Sequence, residues 1–129
     1  NFGKLKRDQK INEVNFDVKG DLGLVTKKNW KEIEKLSPFG LGNPKPIFLF
    51  EGVKIEKLKK FGKNGSGEHL EIIFSDNSNN KAVAISFFSG FDSFDVSLEE
   101  GKRVNLLATF DLSRFRGREE LRLRVEDIF

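Results

Sequence analysis

From Ile47 onward the chain alternates apolar and polar residues with a period of two, the mark of strands with one buried face. The cleanest stretch is Glu120 to Val125, where Leu121, Leu123 and Val125 alternate with Arg122 and Arg124. Leu70, Ile72 and Phe74 share one face of a strand from His69 to Ser75. Val83, Ile85 and Phe87 oppose Ala82, Ala84 and Ser86 in a strand from Lys81 to Phe88. A further strand runs from Arg103 to Phe110. The first of the five, Ile47 to Leu58, is unusually long and is interrupted at Gly52, where a strand can coil from one sheet into another. Asp76 to Asn80 is a turn by composition. Residues 89–101 are mixed, with room for one helical turn near Val96 to Glu100.

The first 37 residues follow another pattern. Residues 1–15 are polar and weakly patterned, and Asn15 to Val18 alternates as a short strand would. Thr26 is a candidate N-cap for a helix from Lys27 to Leu36, with Trp30, Ile33 and Leu36 on one face. A helix this short is marginal alone and has to dock on something. It ends at Ser37–Pro38, and the chain's three prolines and two glycines then fall within nine residues, a stiff connector.

Five strands, a long bent first strand and a short element between the third and fourth predict a mainly β fold. The expected architecture is a five-stranded Greek-key OB-fold barrel with a short N-terminal helical and extended appendage. A small SH3-type barrel is the runner-up, and would not need the room at 89–101. The expected division is an appendage over residues 1–37, a connector over 38–46 and a barrel over 47–129.

Composition removes whole classes of chemistry. There are 129 residues and no cysteine, which excludes disulfides, thiolate metal sites and cysteine nucleophiles. A single histidine, His69, rules out His-rich metal sites and leaves little room for a Ser-His-Asp arrangement. The longest strong apolar run, Ile47 to Phe50, falls far short of the ~20 residues of a membrane helix. The expectation is a soluble, cytoplasmic monomer. With no methionine and an opening of Asn1-Phe2-Gly3-Lys4, the sequence reads as a piece of a longer protein.

The net charge of +3 hides an uneven distribution. Residues 57–68 hold Lys57, Lys59, Lys60 and Lys63 against Glu68, and residues 111–118 hold Arg114, Arg116 and Arg118 against Asp111. Each basic loop carries a ring, Phe61 in the first and Phe115 in the second, and Arg122 follows on the last strand. In an OB-fold these two loops flank the binding face. Cations displace counterions from phosphate while rings stack on unpaired bases, so Lys59, Lys60, Phe61, Lys63, Arg114, Phe115, Arg116, Arg118 and Arg122 are the candidate contacts to single-stranded nucleic acid. The bland alternatives are solvated loops, a solvent face on the last strand and rings that fill the barrel ends. Gly62 to Gly67 lacks the Gly-Lys-Ser/Thr ending of a phosphate-binding loop. Asp92 and Asp95 are two carboxylates without further hard ligands. His69 could reach phosphate or simply face water, and the latter is favoured. No catalytic or metal-binding set emerges.

Leu36-Ser37-Pro38-Phe39-Gly40-Leu41-Gly42-Asn43-Pro44-Lys45-Pro46-Ile47-Phe48 closely resembles the signature leading into the OB domain of the RecJ family, bacterial exonucleases specific for single-stranded DNA. Arg114-Phe115-Arg116-Gly117-Arg118-Glu119-Glu120-Leu121-Arg122-Leu123, with Val125-Glu126-Asp127-Ile128, looks like that domain's closing hairpin. The likeness spans residues 36–128, and residues 1–35 look like the tail of the preceding DHH-associated domain. It implies a parent enzyme that degrades single-stranded DNA from the 5′ end in recombination and repair, using manganese (Mn) or magnesium (Mg) bound in a DHH domain. No Asp-His-His motif occurs here, so no cofactor or catalytic residue carries over to these residues and the piece alone is expected to be inactive. What carries over is a role in gripping single-stranded DNA, with Arg114, Arg116 and Arg118 matching the basic closing loop. The implied partners are single-stranded DNA and the upstream DHH and DHH-associated domains. The competing expectation is a structural or protein-docking barrel that does not touch DNA.

Overall fold

The computed structural model describes residues 9–11, 14–62 and 67–129. Three short strands open it, β1 (Gln9–Ile11), β2 (Val14–Phe16) and β3 (Val18–Lys19), followed by a 3-10 turn at Leu22–Leu24 and helix α1 (Lys27–Glu34). Five long strands follow: β4 (Phe48–Phe61), β5 (His69–Ser75), β6 (Lys81–Ser86), β7 (Arg103–Phe115) and β8 (Arg118–Ile128). Their order is β4-β5-β6-β8-β7, and β7 pairs back onto β4 to close the ring. The parallel pair β6–β8 and the closure through one long first strand are the Greek-key plan of an OB-fold barrel.

β4 is shared between two partners. Phe48 to Lys54 pairs with β7, and Lys54 to Phe61 pairs with β5. The changeover needs two irregularities. Gly52 sits in the register shift between Phe50 and Val53 with a φ of 64°, a conformation that a residue without Cβ adopts at no steric cost. A second shift falls between Ile55 and Lys57. An extra residue in one strand reverses the side-chain parity beyond it. Val53 and Ile55 point into the barrel, and beyond the shift Leu58 takes the inward side while Lys57 and Lys59 are exposed. Unbroken alternation from Val53 would have buried both lysines.

The alternating apolar residues meet inside. Phe48, Phe50, Ile55, Leu70, Ile72, Phe74, Leu106 and Leu123 are inaccessible to solvent, and the Phe48 and Phe110 rings stack 4.5 Å apart. On β6 it is the small residues Ala82 and Ala84 that join this core. Leu49 points the other way from Phe48 and Phe50 yet is equally buried, because Phe16 and Leu107 cover it in a second, smaller cluster. The run from Ile47 to Phe50 is therefore the start of a strand covered on both faces. The upstream segment supplies this cover: β3 lies parallel to Phe48–Leu49, Ile47 N–H donates to Asp17 Oδ2 at 2.8 Å, and Asp17 N–H returns to the Ile47 carbonyl at 2.8 Å.

Helix α1 starts at the expected residue. Thr26 Oγ1 accepts from Asn29 N–H at 3.2 Å as the N-cap. Leu22 and Ile33 are buried in the barrel's own core, with Trp30 and Leu36 packed against it. The helix's docking partner is thus the barrel itself. No helical turn forms at 96–100, where Leu98 is buried and Lys102 N–H closes a turn onto the Glu99 carbonyl just after Gly101 at φ 90°. The observed strands also run longer than the alternation implies, β7 to Phe115 and β8 from Arg118 to Ile128, because a tight turn lets the pairing continue to the tip.

Asp76 ties the appendage to the β5–β6 turn. Its carboxylate accepts from the N–H groups of Leu22 (2.9 Å), Ser78 (2.9 Å) and Asn80 (3.0 Å), and from Asn80 Nδ2 (3.1 Å). Partial burial works to raise its pKa, but the hydrogen bonds from Asn80, Leu22 and Ser78 outweigh it and hold the carboxyl below its ordinary value of 3.8. A depressed folded-state value contributes stability that is complete above 3.8 and is lost as the pH falls through the lower folded value. Asp76→Asn should therefore cost about 1 kcal/mol at neutral pH. The gap in urea midpoint between variant and parent should stay constant above about pH 5 and narrow as the pH is lowered through and below 3.8; a gap independent of pH would rule out this role for the carboxylate.

Candidate nucleic-acid interface

The alternation that sends Leu70, Ile72 and Phe74 inward turns His69, Glu71 and Ile73 outward on β5. Register then decides what lies beside them. Phe61 pairs with His69, Lys59 with Glu71, Glu71 with Ile85, and Ile85 with Arg124. The outer face of β4, β5, β6 and β8 thus places cations at its flanks and rings along one end. Lys59, Phe61, Glu71, Ile85 and Arg122 line a shallow pocket of about 210 Å³ on this face. The flanking cations differ in freedom. Arg122 Nε donates to Asp111 Oδ2 at 2.8 Å, and both side chains are about three-quarters shielded. Among the described residues, Arg124 forms no ion pair; its guanidinium lies 5.1 Å over the Phe87 ring.

Rings gather at the end of this face. His69 lies 5.2 Å from Phe61, 5.3 Å from Phe87 and 4.8 Å from Phe88, edge-on to the last two. Lys60 shares the inward side of Leu70 but extends past the rim, where its ammonium sits 4.5 Å from the Phe91 ring. Phe88 is 82% exposed and has a φ of 54°. A left-handed conformation costs a bulky residue about 1–3 kcal/mol, and such strain concentrates at functional sites. The backbone is held there because Phe88 N–H donates to His69 Nδ1 at 2.9 Å.

The other basic loop is the β7–β8 turn. Arg116 (φ 51°) and Gly117 (φ 74°) are the two central residues of a hairpin closed by the Phe115–Arg118 pair, the left-handed geometry that matches strand twist. Phe115 is exposed with the Arg116 guanidinium 5.2 Å over its ring. Arg114 is occupied, bonded to Glu119 at 2.9 Å and lying 6.0 Å from the Trp30 ring of α1. Among the described residues, Arg116 and Arg118 form no ion pair.

Strand direction fixes how the two loops relate. β4, β6 and β8 run one way and β5 and β7 the other, so the Phe61–His69 end of β4 and β5 and the β7–β8 turn lie at opposite ends of the strands. The structure brings together Lys59, Phe61 and Arg122, with Lys60 just over the rim. Arg114, Phe115, Arg116 and Arg118 stand apart at the hairpin tip, with Arg118 roughly 20 Å along β8 from Arg124. Lys63 lies outside the described residues. Sequence reasoning passes over Phe87, Phe88, Phe91 and Arg124 and sets His69 aside. Two signals are present in the sequence: Arg124 shares its face with Arg122, and Phe87-Phe88 breaks the alternation so that one ring must face outward. Among the described residues, no group of three or more His, Asp or Glu side chains could hold a metal ion, and no helix is long and apolar enough to cross a membrane.

Known proteins resemble this chain. The family model described as RecJ OB domain matches residues 16–127. The single-stranded-DNA-specific exonuclease RecJ of Bacillus subtilis (strain 168) is 25% identical over 103 residues, covering 80% of this chain and 12% of that protein. Crystal structures of RecJ from Thermus thermophilus, in complex with Mg2+ and with Mn2+, share the fold with TM-scores of 0.59 and 0.60 at 20% and 21% identity. They are matched over 84% and 85% of this chain and 15% and 14% of theirs, so this chain spans a small part of its relatives' length.

The hairpin geometry makes its own prediction. Arg116→Gly removes the Cβ from a left-handed position and should raise stability by about 1 kcal/mol. The check is the denaturation midpoint; a loss of stability would mean that the Arg116–Phe115 contact outweighs the backbone strain.

Proposed function

The chain belongs to the RecJ OB domain family, and from that premise we propose that it grips single-stranded DNA for a RecJ-like 5′–3′ exonuclease and feeds the strand to a catalytic core outside these residues. The observation that carries this reading is the outer face of β4, β5, β6 and β8, where Lys59, Arg122 and Arg124 lie beside the rings of Phe61 and Phe87, with His69 packed between those two rings. Phosphates would lie against the cations and release counterions, while bases would stack on rings that a duplex could not reach. Arg116, Arg118 and Phe115 would continue the path at the hairpin tip. The Mg2+ or Mn2+ named for the Thermus structures would serve the hydrolase chemistry of the parent and would be held elsewhere, since the described residues offer no ligand set. The segment before Pro38 would join an upstream DHH-associated domain to the barrel.

One observation favours the competing reading of a protein-docking barrel. Leu41 is fully exposed on a turn that Gly40 and Asn43 close with reciprocal backbone hydrogen bonds, while Asn43 Nδ2 holds the carbonyls of Leu36 (2.6 Å) and Pro38 (3.0 Å). A rigidly presented leucine suits contact with a neighbouring domain, and that contact is compatible with a DNA-binding face elsewhere on the barrel.

Titration of an oligothymidylate at low salt separates the readings: binding is expected, and failure to bind any single strand would leave docking as the function. The slope of log affinity against log salt should lose roughly 0.7 for each phosphate contact removed. Lys59→Ala with Arg124→Ala should therefore flatten it by about 1.4. An unchanged slope in Arg116→Ala with Arg118→Ala would take the hairpin tip off the strand's path. With Mg2+ or Mn2+ present, the isolated chain should leave a labelled oligonucleotide intact; metal-dependent digestion would overturn the assignment of catalysis to the parent's other domains.

A further inference from the structure

We propose that Phe88 is a base-stacking residue of this face and that His69 positions it. The inference rests on the reading of the barrel as a single-strand binder and names the residue that would contact a base. Phe88 combines three features that a structural role leaves unexplained. Its ring is 82% exposed, so it contributes little to the core. Its backbone occupies the left-handed region at φ 54°, which a glycine would fill without strain. Yet the segment is tied down rather than loose. Phe88 N–H donates to His69 Nδ1 at 2.9 Å, Ser89 N–H donates to the Glu68 carbonyl at 3.0 Å, and the Ser86 and Ser89 hydroxyls are bonded at 2.7 Å.

The surroundings point to the ligand. Because a backbone N–H can only donate, His69 Nδ1 is the acceptor and carries no proton. The imidazole is held by Phe61 and Phe87 and meets the Phe88 ring edge-on at 4.8 Å. That geometry leaves the ring of Phe88 largely open to solvent. Arg124 over Phe87 and Lys60 over Phe91 bring positive charge to the neighbourhood of the open ring. A flat apolar surface flanked by cations fits an unpaired base with its two neighbouring phosphates.

The test uses Phe88→Gly, which removes the ring and relieves the backbone at once. Its thermal stability should equal or exceed that of the parent chain, so weakened binding cannot be ascribed to unfolding. Affinity for an oligothymidylate should fall roughly 5- to 150-fold, the range expected for one stacked base, with the salt slope unchanged. On an abasic strand of the same length, parent and variant should bind alike. His69→Ala should lose part of the same affinity, and His69→Asn, whose Oδ1 can accept the Phe88 N–H, should recover it. In the Phe88→Gly background, His69→Ala should cost nothing further. Equal affinity of Phe88→Gly and parent for the oligothymidylate would overturn the stacking role while leaving the barrel a DNA binder. A deficit that persists on the abasic strand would do the same. Additive losses in the double variant would remove the positioning role of His69. If the parent chain binds no single strand, the reading of the whole face falls and the stacking role with it.

Discussion

A single strand that must satisfy two sheets governs this molecule. β4 can pair with β7 over its first half and β5 over its second only because the chain swerves at Gly52 and takes up an extra residue between Ile55 and Lys57. The first irregularity lets the barrel close. The second inverts the faces, which keeps Leu58 against the core and turns Lys57, Lys59 and Phe61 to the outside. The barrel interior and its outer surface are thus set by one backbone detail. Remove the extra residue and the register would drive lysines toward the apolar interior, at a cost of several kcal/mol for each unpaired charge.

The outer face is only moderately cationic. Glu71 sits amid Lys59 and Arg122, and Asp111 already partners Arg122. Much of its capacity for nucleic acid would come from rings, a contribution that salt does not screen. On the proposed reading this balance suits a strand that has to move. Close, fully desolvated ion pairs at every phosphate would raise the barrier to each step, whereas stacking on the rings at the end of this face can be exchanged base by base.

The fold is largely legible from alternation. Leu70-Ile72-Phe74 and Leu121-Leu123 take the inward side as their spacing implies, and Thr26 caps the helix it is expected to cap. On β6 alternation shows that Ala82 and Ala84 share a face but not which face it is; only the packing reveals that the alanines turn inward and Ile85 outward. The composition of the outer face is hidden for a related reason, since it depends on parity after a bulge and on register between strands distant in sequence. Val53-Lys54-Ile55-Glu56-Lys57-Leu58 does contain the clue, an alternation that slips by one residue at Glu56-Lys57. The left-handed backbone at Phe88 leaves no trace, because phenylalanine is not a residue from which that conformation is inferred. The relation between the two basic loops is hidden for a further reason. Composition locates charge along a chain, but only strand direction decides at which end of a barrel it emerges.

The pairing of β6 with β8 bears on how the chain is made. Ala84 and Ile85 wait for Leu123 and Arg124, about forty residues downstream, before the edge of β6 is covered. At translation speeds of about 5–20 residues per second, that edge would stay open for roughly 2–8 s after it leaves the ribosome. During that interval a nascent barrel presents an uncapped strand with Phe87 and Phe88 at its end, open to pairing with a neighbouring polypeptide on the same messenger RNA. The tight Arg116–Gly117 turn shortens the hazard, because β8 can fold back along β7 as soon as it is synthesised and arrive at β6 already formed.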